Sequence, residues 1–311
     1  MLAAITAEKL VNDIFNAGLF IMIVTLVMSL GMGFTVGQVI APLRRIGIVA
    51  AAVVINVLIT PAVAWGLAKL FPITSEQVVG LVLVCVASAG PAGLKAAELA
   101  KRADMAFAVS LVIVLQLINI VAAPLWAQAV VSGATVSTWG IIKDLLLLVL
   151  VPLTVGLVGH ARYTEHAAEW KVGLEKISNI ALYIAIVAGL AVNWSDIVSL
   201  LGSWVLVAAT VMILTFMAMG ALVGLKDRSV AISGAMVTGM RFQPVGLIII
   251  TTQLGGNSAY LAPALVFALI DTFLMFGIGI EIGHRRKAPD EPSDGAPAAS
   301  GTQPTDSKAG S

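Results

Sequence analysis

Two charged residues, Arg241 and Asp271, stand in the middle of long apolar runs. A charge at mid-bilayer depth costs about 2.5–3.5 kcal/mol even on the lenient insertion scale, so each must face protein or water. They fall in consecutive runs at matching depth, where pairing is the least costly arrangement. Such a pair is either a structural tie between two helices or a site at which Arg241 holds an anion. A third charge, Lys95, lies one turn beyond Gly90-Pro91, with Glu98 three residues on. It either snorkels to the interface and pairs with Glu98 along the helix, or points back to the proline and adds a second cation there. Ser88, Gln116, Asn119, Gln243 and Thr272 complete the candidate substrate-binding set, with Ser110, Thr238, Thr251 and Thr252 in the same runs. Taken singly, each is an interhelical hydrogen bond; as a set they could line a polar cavity.

What gathers these residues is a pair of interrupted helices. One run carries Ala87-Ser-Ala-Gly90-Pro91-Ala-Gly93, the other Thr238-Gly239-Met-Arg241-Phe-Gln243-Pro244-Val-Gly246. Proline removes a backbone donor and clashes with the preceding turn, so these segments unwind or kink. Unwound backbone survives in lipid only where protein or a cavity covers it. The breaks fall in the third and eighth apolar runs, and an odd separation makes the two helices antiparallel across the membrane. Broken helices at matching positions of two inverted halves point to a transporter's binding site.

The rest of the chain is built to carry these breaks. Of its 311 residues, 59% are hydrophobic and only 11% charged, with a formal net charge of +1. Soluble domains run near 25% charged, so the composition excludes a soluble enzyme, and the balanced charge excludes nucleic acid as a partner. At ~20 residues per crossing, the sequence predicts an all-α polytopic membrane protein with about nine spans. These are roughly 17–36, 46–70, 77–101, 104–131, 138–159, 174–194, 198–225, 229–253 and 258–283. Every second loop is basic: Arg44 and Arg45, Lys101 and Arg102, Arg162 and Lys171, Lys226 and Arg228, then Arg285, Arg286 and Lys287. The positive-inside rule then places the N-terminus outside and the C-terminus in the cytoplasm. Residues 1–16 read as an interfacial segment, 17–287 as the transporter domain and 288–311 as a disordered cytoplasmic tail. Short loops and the lack of a transit-type leader point to a bacterial inner membrane.

No cofactor is expected. His160, His166 and His284 have no ligands at zinc spacing, one cysteine excludes a thiolate cluster, and no Walker loop, nucleophile elbow or dinucleotide fingerprint occurs in context. The sequence therefore predicts no catalytic residues, no ATP and secondary transport, with the lipid bilayer and a small organic anion as partners.

The motifs also resemble a family. Leu30-Gly-Met-Gly-Phe-Thr35, Ser88-Ala-Gly-Pro-Ala-Gly93 with the segment through Glu98 to Ser110, and Thr238-Gly-Met-Arg241 with Pro263-Ala-Leu-Val-Phe267 are similar to blocks of the bile acid:sodium symporters. The resemblance spans roughly 17–283 and lacks the extra first helix of some bacterial members. It implies a six-helix core holding two crossed, broken helices, a panel of remaining helices, and alternating access for organic anions such as bile acids, keto acids or pantoate, usually driven by two sodium ions. It also implies ion ligands that are missing here. At the positions of the family's Ser-Asn pair, following Thr, and Glu and Gln stand Ala96 and Ala97, Val114, and Val237 and Arg241; Ser110 alone keeps its type. Sodium wants several oxygen ligands, so the usual sodium sites are expected to be gone. Arg241, with Lys95, would supply the charge sodium otherwise brings. Transport would then be facilitated diffusion, exchange, or proton coupling through Asp271 or Glu98. The rival readings are a sodium symporter with a relocated site and a transport-dead sensor or scaffold.

Overall fold

The computed structural model describes residues 2–35, 37, 46–131 and 137–284. Within them the chain is helical, in the order α1 (Leu2–Met32), α2 (Ile46–Leu70), α3 (Ser75–Val86), α4 (Pro91–Leu99), α5 (Met105–Val130), α6 (Thr138–Arg162), α7 (Thr164–Val192), α8 (Trp194–Leu200), α9 (Trp204–Leu222), α10 (Arg228–Gly239), α11 (Gln243–Gln253) and α12 (Ser258–His284). Eight stretches are long and apolar enough to cross a membrane, and the bent pair α3/α4 makes a ninth. Arg44, Arg45, Arg285, Arg286, Lys287 and the 288–311 tail lie outside the described residues.

Side-chain caps mark where helices begin. Thr74 and Gln77 form a reciprocal capping box at α3, while Asp104, Ser137, Ser203 and Asp227 accept from the first backbone amides of α5, α6, α9 and α10. Each cap satisfies donors that a helix start otherwise leaves open. Two spans contain a single widened π turn, Ile55–Ile59 in α2 and Leu146–Leu150 in α6. Both precede a proline, Pro61 and Pro152, within the next two residues. A proline that cannot donate leaves a carbonyl behind it to be satisfied otherwise; the Val57 carbonyl, four residues before Pro61, accepts instead from the Trp126 indole N–H at 2.7 Å.

Several boundaries differ from the sequence reading. α1 runs unbroken through Ile5–Asn16, so those residues share a helix with the first crossing, whose apolar span is Lys9–Met32. The run expected at 174–194 starts at Thr164, because its first turns carry Glu165, Glu169 and Lys171 and so do not form an apolar run. The run expected at 198–225 is split by Gly202, at φ +83°, into α8 and α9.

Packing separates two groups. α1 lies against α6 and α7, with small residues meeting at the contact: a Cβ on Gly31 would meet the Leu153 carbonyl at 2.5 Å, and one on Gly156 the Met28 carbonyl at 2.3 Å. Close helix approach through small residues is how membrane helices associate without a hydrophobic drive. The remaining helices pack around α10/α11, whose span is 83% buried against 28% for α7. This is a core with a three-helix panel, and the crossed helices form the centre of the core.

Candidate functional site: the crossing of two broken helices

At the first break α3 stops at Val86, Ala87 and Gly90 are extended, and Pro91 opens α4 with a bend of 75°. Ala89 sits at φ +38°, a region that an L side chain enters only with strain. At the second break α10 stops at Gly239, Met240 and Phe242 leave the helix, and Gln243-Pro244 opens α11. The breaks meet. The Phe242 amide donates to the Ala87 carbonyl at 3.3 Å, so one backbone bond ties the two unwound segments together. α3 packs on α11 and α4 on α10. A Cβ on Gly246 would lie 2.4 Å from the Leu83 carbonyl, and one on Gly93 would lie 3.2 Å from Val237 Cα. Gly90 gives the same room to the Phe242 ring, and Gly239 to Met275.

Two half-helices therefore end at the crossing with free carbonyls, and two begin there with free amides. Arg241 lies between them, with no exposed surface. Its Nε donates to the Cys85 carbonyl at 3.1 Å, one terminal nitrogen donates to the same oxygen, and the other donates to Asn56 Oδ1 at 3.3 Å. Its guanidinium carbon stands 5.7 Å from the Phe216 ring centroid, a cation–π distance. Cys85 is the second-last residue of α3, so its carbonyl has lost its intrahelical donor and carries the negative end of that helix. The guanidinium occupies the place where a cation is best held.

Asp271, equally enclosed, is held at the opposite pole. One of its oxygens accepts from the Arg241 backbone amide at 3.1 Å, in the unwound segment between α10 and α11, and from the side-chain amide of Gln243, the first residue of α11. This corrects the expected pairing: the carboxylate binds the backbone of Arg241, and the guanidinium turns to Cys85 and Asn56. The guanidinium faces the carbonyl end of α3, and the carboxylate faces the amides of the segment that leads into α11. Asp271 Oδ1 and Gln116 Nε2 are the two buried side-chain atoms left without a hydrogen-bond partner among the described residues.

The other sequence candidates divide. Ser88, Gln116 and Asn119 form one cluster: Asn119 accepts from the Ser88 amide and hydroxyl at 3.1 and 2.9 Å, and returns bonds to the Ser88 carbonyl and Gln116 Oε1. Lys95 does not join it. Its ammonium sits 2.8 Å from Glu98 and is two-thirds exposed, so the local i,i+3 pair prevails over the break. Thr272 is half-buried and donates to its own helix at the Ala268 carbonyl, as Thr251 and Thr252 do at Ile248. Ala96, Ala97 and Val237 are sealed, Ser110 is buried and Val114 is half-buried.

Sequence reasoning missed two partners. Asn56 is fully buried in α2, donates to Thr238 Oγ1 at 2.9 Å and to the Ala52 carbonyl at 3.0 Å, and accepts from Arg241. An asparagine amid an apolar run was a signal in plain view. The Cys85 carbonyl had no such signal, since every residue has one.

Residues 20–200, which include the first break, match the family described as the Sodium Bile acid symporter family. No individual curated protein matches the chain. With a family match over more than half its length and helices that cross at paired breaks, this polytopic membrane protein belongs to the Sodium Bile acid symporter family and is a transporter of that family.

Proposed function

We propose that the protein is a secondary transporter of small organic anions whose cycle needs no bound sodium, because the guanidinium of Arg241 stands where the mobile cation otherwise would. The observation that carries this reading is the pair of bonds from Arg241 to the Cys85 carbonyl at the end of α3. Free carbonyls at a half-helix C-terminus are what broken-helix transporters use to coordinate their coupling ion. The sealed alkyl groups of Ala96, Ala97 and Val237 support it further, since they offer a hard cation no oxygen.

On this reading Arg241 acts by charge and shape and does not touch the anion in this conformation, because it is closed off by its own partners. The Ser88–Gln116–Asn119 cluster beside the break is the candidate substrate contact, with Gln116 Nε2 as an unused donor. Substrates are carboxylates of the bile acid, keto acid or pantoate kind, the membrane is a bacterial inner membrane, and the C-terminus is cytoplasmic. Proteoliposome uptake of radiolabelled taurocholate, 2-ketoisovalerate and pantoate, with and without a sodium gradient, tests this. We expect saturable uptake of at least one anion, at the same rate in sodium and in choline. Sodium stimulation would favour a relocated ion site, and no uptake of any of the three would favour a scaffold.

A further inference from the structure

We propose that the panel carries a binding site for an anionic phospholipid, formed where α1, α6 and α7 converge. A groove of about 400 Å3 lies there, with Met28, Val155 and Val158 along its length and Arg162, Tyr163 and Trp170 at one end. The volume falls in the ~300–1,000 Å3 range of small-ligand clefts. Val155 and Val158 are 47% and 54% exposed, so the apolar part opens to the bilayer and suits an acyl chain.

The polar end is built differently. Arg162 is exposed, and neither its guanidinium, the Tyr163 hydroxyl nor the Trp170 indole N–H has a hydrogen-bond partner among the described residues. The two rings hold each other at 5.4 Å, and His166 stacks on Trp170 at 6.2 Å, which fixes these donors beside the groove. His160 Nδ1 lies 2.6 Å from the Met32 carbonyl and ties the end of α1, which lines the groove at Met28 and Met32, to α6. Acidic residues of α7 do not cancel the charge. Neither Glu165 nor Glu169 lines the groove, and no ion pair joins either of them to Arg162 among the described residues.

An oil-lined channel that ends in a cation and two aromatic donors at a helix terminus matches a glycerophospholipid, with its chain in the groove and its phosphate on Arg162. Interfacial tyrosine and tryptophan sit at headgroup depth, and basic pockets between membrane helices take anionic headgroups. A zwitterionic lipid would fill the channel equally well but would bring its own cation to Arg162. A free phosphate would meet the cation and leave the channel empty.

Native mass spectrometry of the purified full-length protein tests this by titration with phosphatidylglycerol, phosphatidylcholine and glycerol 3-phosphate. Phosphatidylglycerol should be retained in preference to the other two. Arg162→Ala should weaken its retention roughly fivefold, the worth of one basic residue at a membrane surface, and leave phosphatidylcholine unchanged. Arg162→Lys should keep most of the preference, and Val158→Trp, which plugs the exposed channel, should abolish it. Equal retention of the two lipids by the wild type, an unchanged Arg162→Ala variant, or glycerol phosphate binding as well as the lipid would each overturn the proposal.

Discussion

Replacing Arg241 by glutamine removes the charge at the crossing and keeps a hydrogen-bonding side chain of shorter reach. The structure lets the cost be worked out. Three donor contacts are lost, two to the Cys85 carbonyl and one to Asn56, and Asp271 remains buried without a nearby cation. Removing one member of a buried, hydrogen-bonded set of charges costs about 3–5 kcal/mol, mostly through what is left uncompensated. At ~2–4 °C per kcal/mol for a chain of this order of size, the melting midpoint should fall by on the order of 10 °C. A fluorescence-detected thermal melt of the detergent-purified variant measures it. The double variant Arg241→Gln/Asp271→Asn should melt higher than Arg241→Gln alone, since the orphaned carboxylate is gone. A single-variant shift of a degree or less, or a double variant that loses the full sum of the two singles, would refute the assignment of opposite charges to the two half-helix ends.

Other substitutions probe the frame around that charge. Gly246→Ala should destabilise by about 2 kcal/mol or more in the same melt, because its Cβ meets backbone at 2.4 and 2.5 Å. Gly66→Ala, with nothing within 4 Å, should instead stabilise α2 by up to ~1 kcal/mol. Ala89→Gly should raise the melting midpoint slightly, by roughly 1 kcal/mol of relieved strain at φ +38°. Lys95→Ala should cost no more than ~0.5 kcal/mol, the worth of an exposed pair one turn apart, and should leave anion uptake in proteoliposomes at the wild-type level.

What could be read from the sequence follows from what leaves a mark on residue type. Gly90-Pro91 and Gln243-Pro244 signal their breaks because proline and glycine are defined by backbone behaviour, and span length is fixed by the bilayer. The enclosure of Arg241 and Asp271 was legible because a mid-span charge has nowhere else to go. Their partners were not. The guanidinium chose a main-chain carbonyl freed by the end of α3, and the carboxylate chose a main-chain amide freed by the break between α10 and α11. Both groups exist only after the helices have broken. Asn56 escaped notice for another reason: it lies in a run without glycine interruption near it, and it faces the crossing from a span whose π turn shifts the helical phase. Lys95 shows the converse case, in which sequence spacing to Glu98 alone held the answer.

The central claim is that a fixed guanidinium fills the cation position at the crossing, and binding of radioactive sodium to the purified protein tests it most directly. The account predicts no saturable sodium binding to the wild type. Saturable, competable sodium binding to the unaltered protein would contradict it.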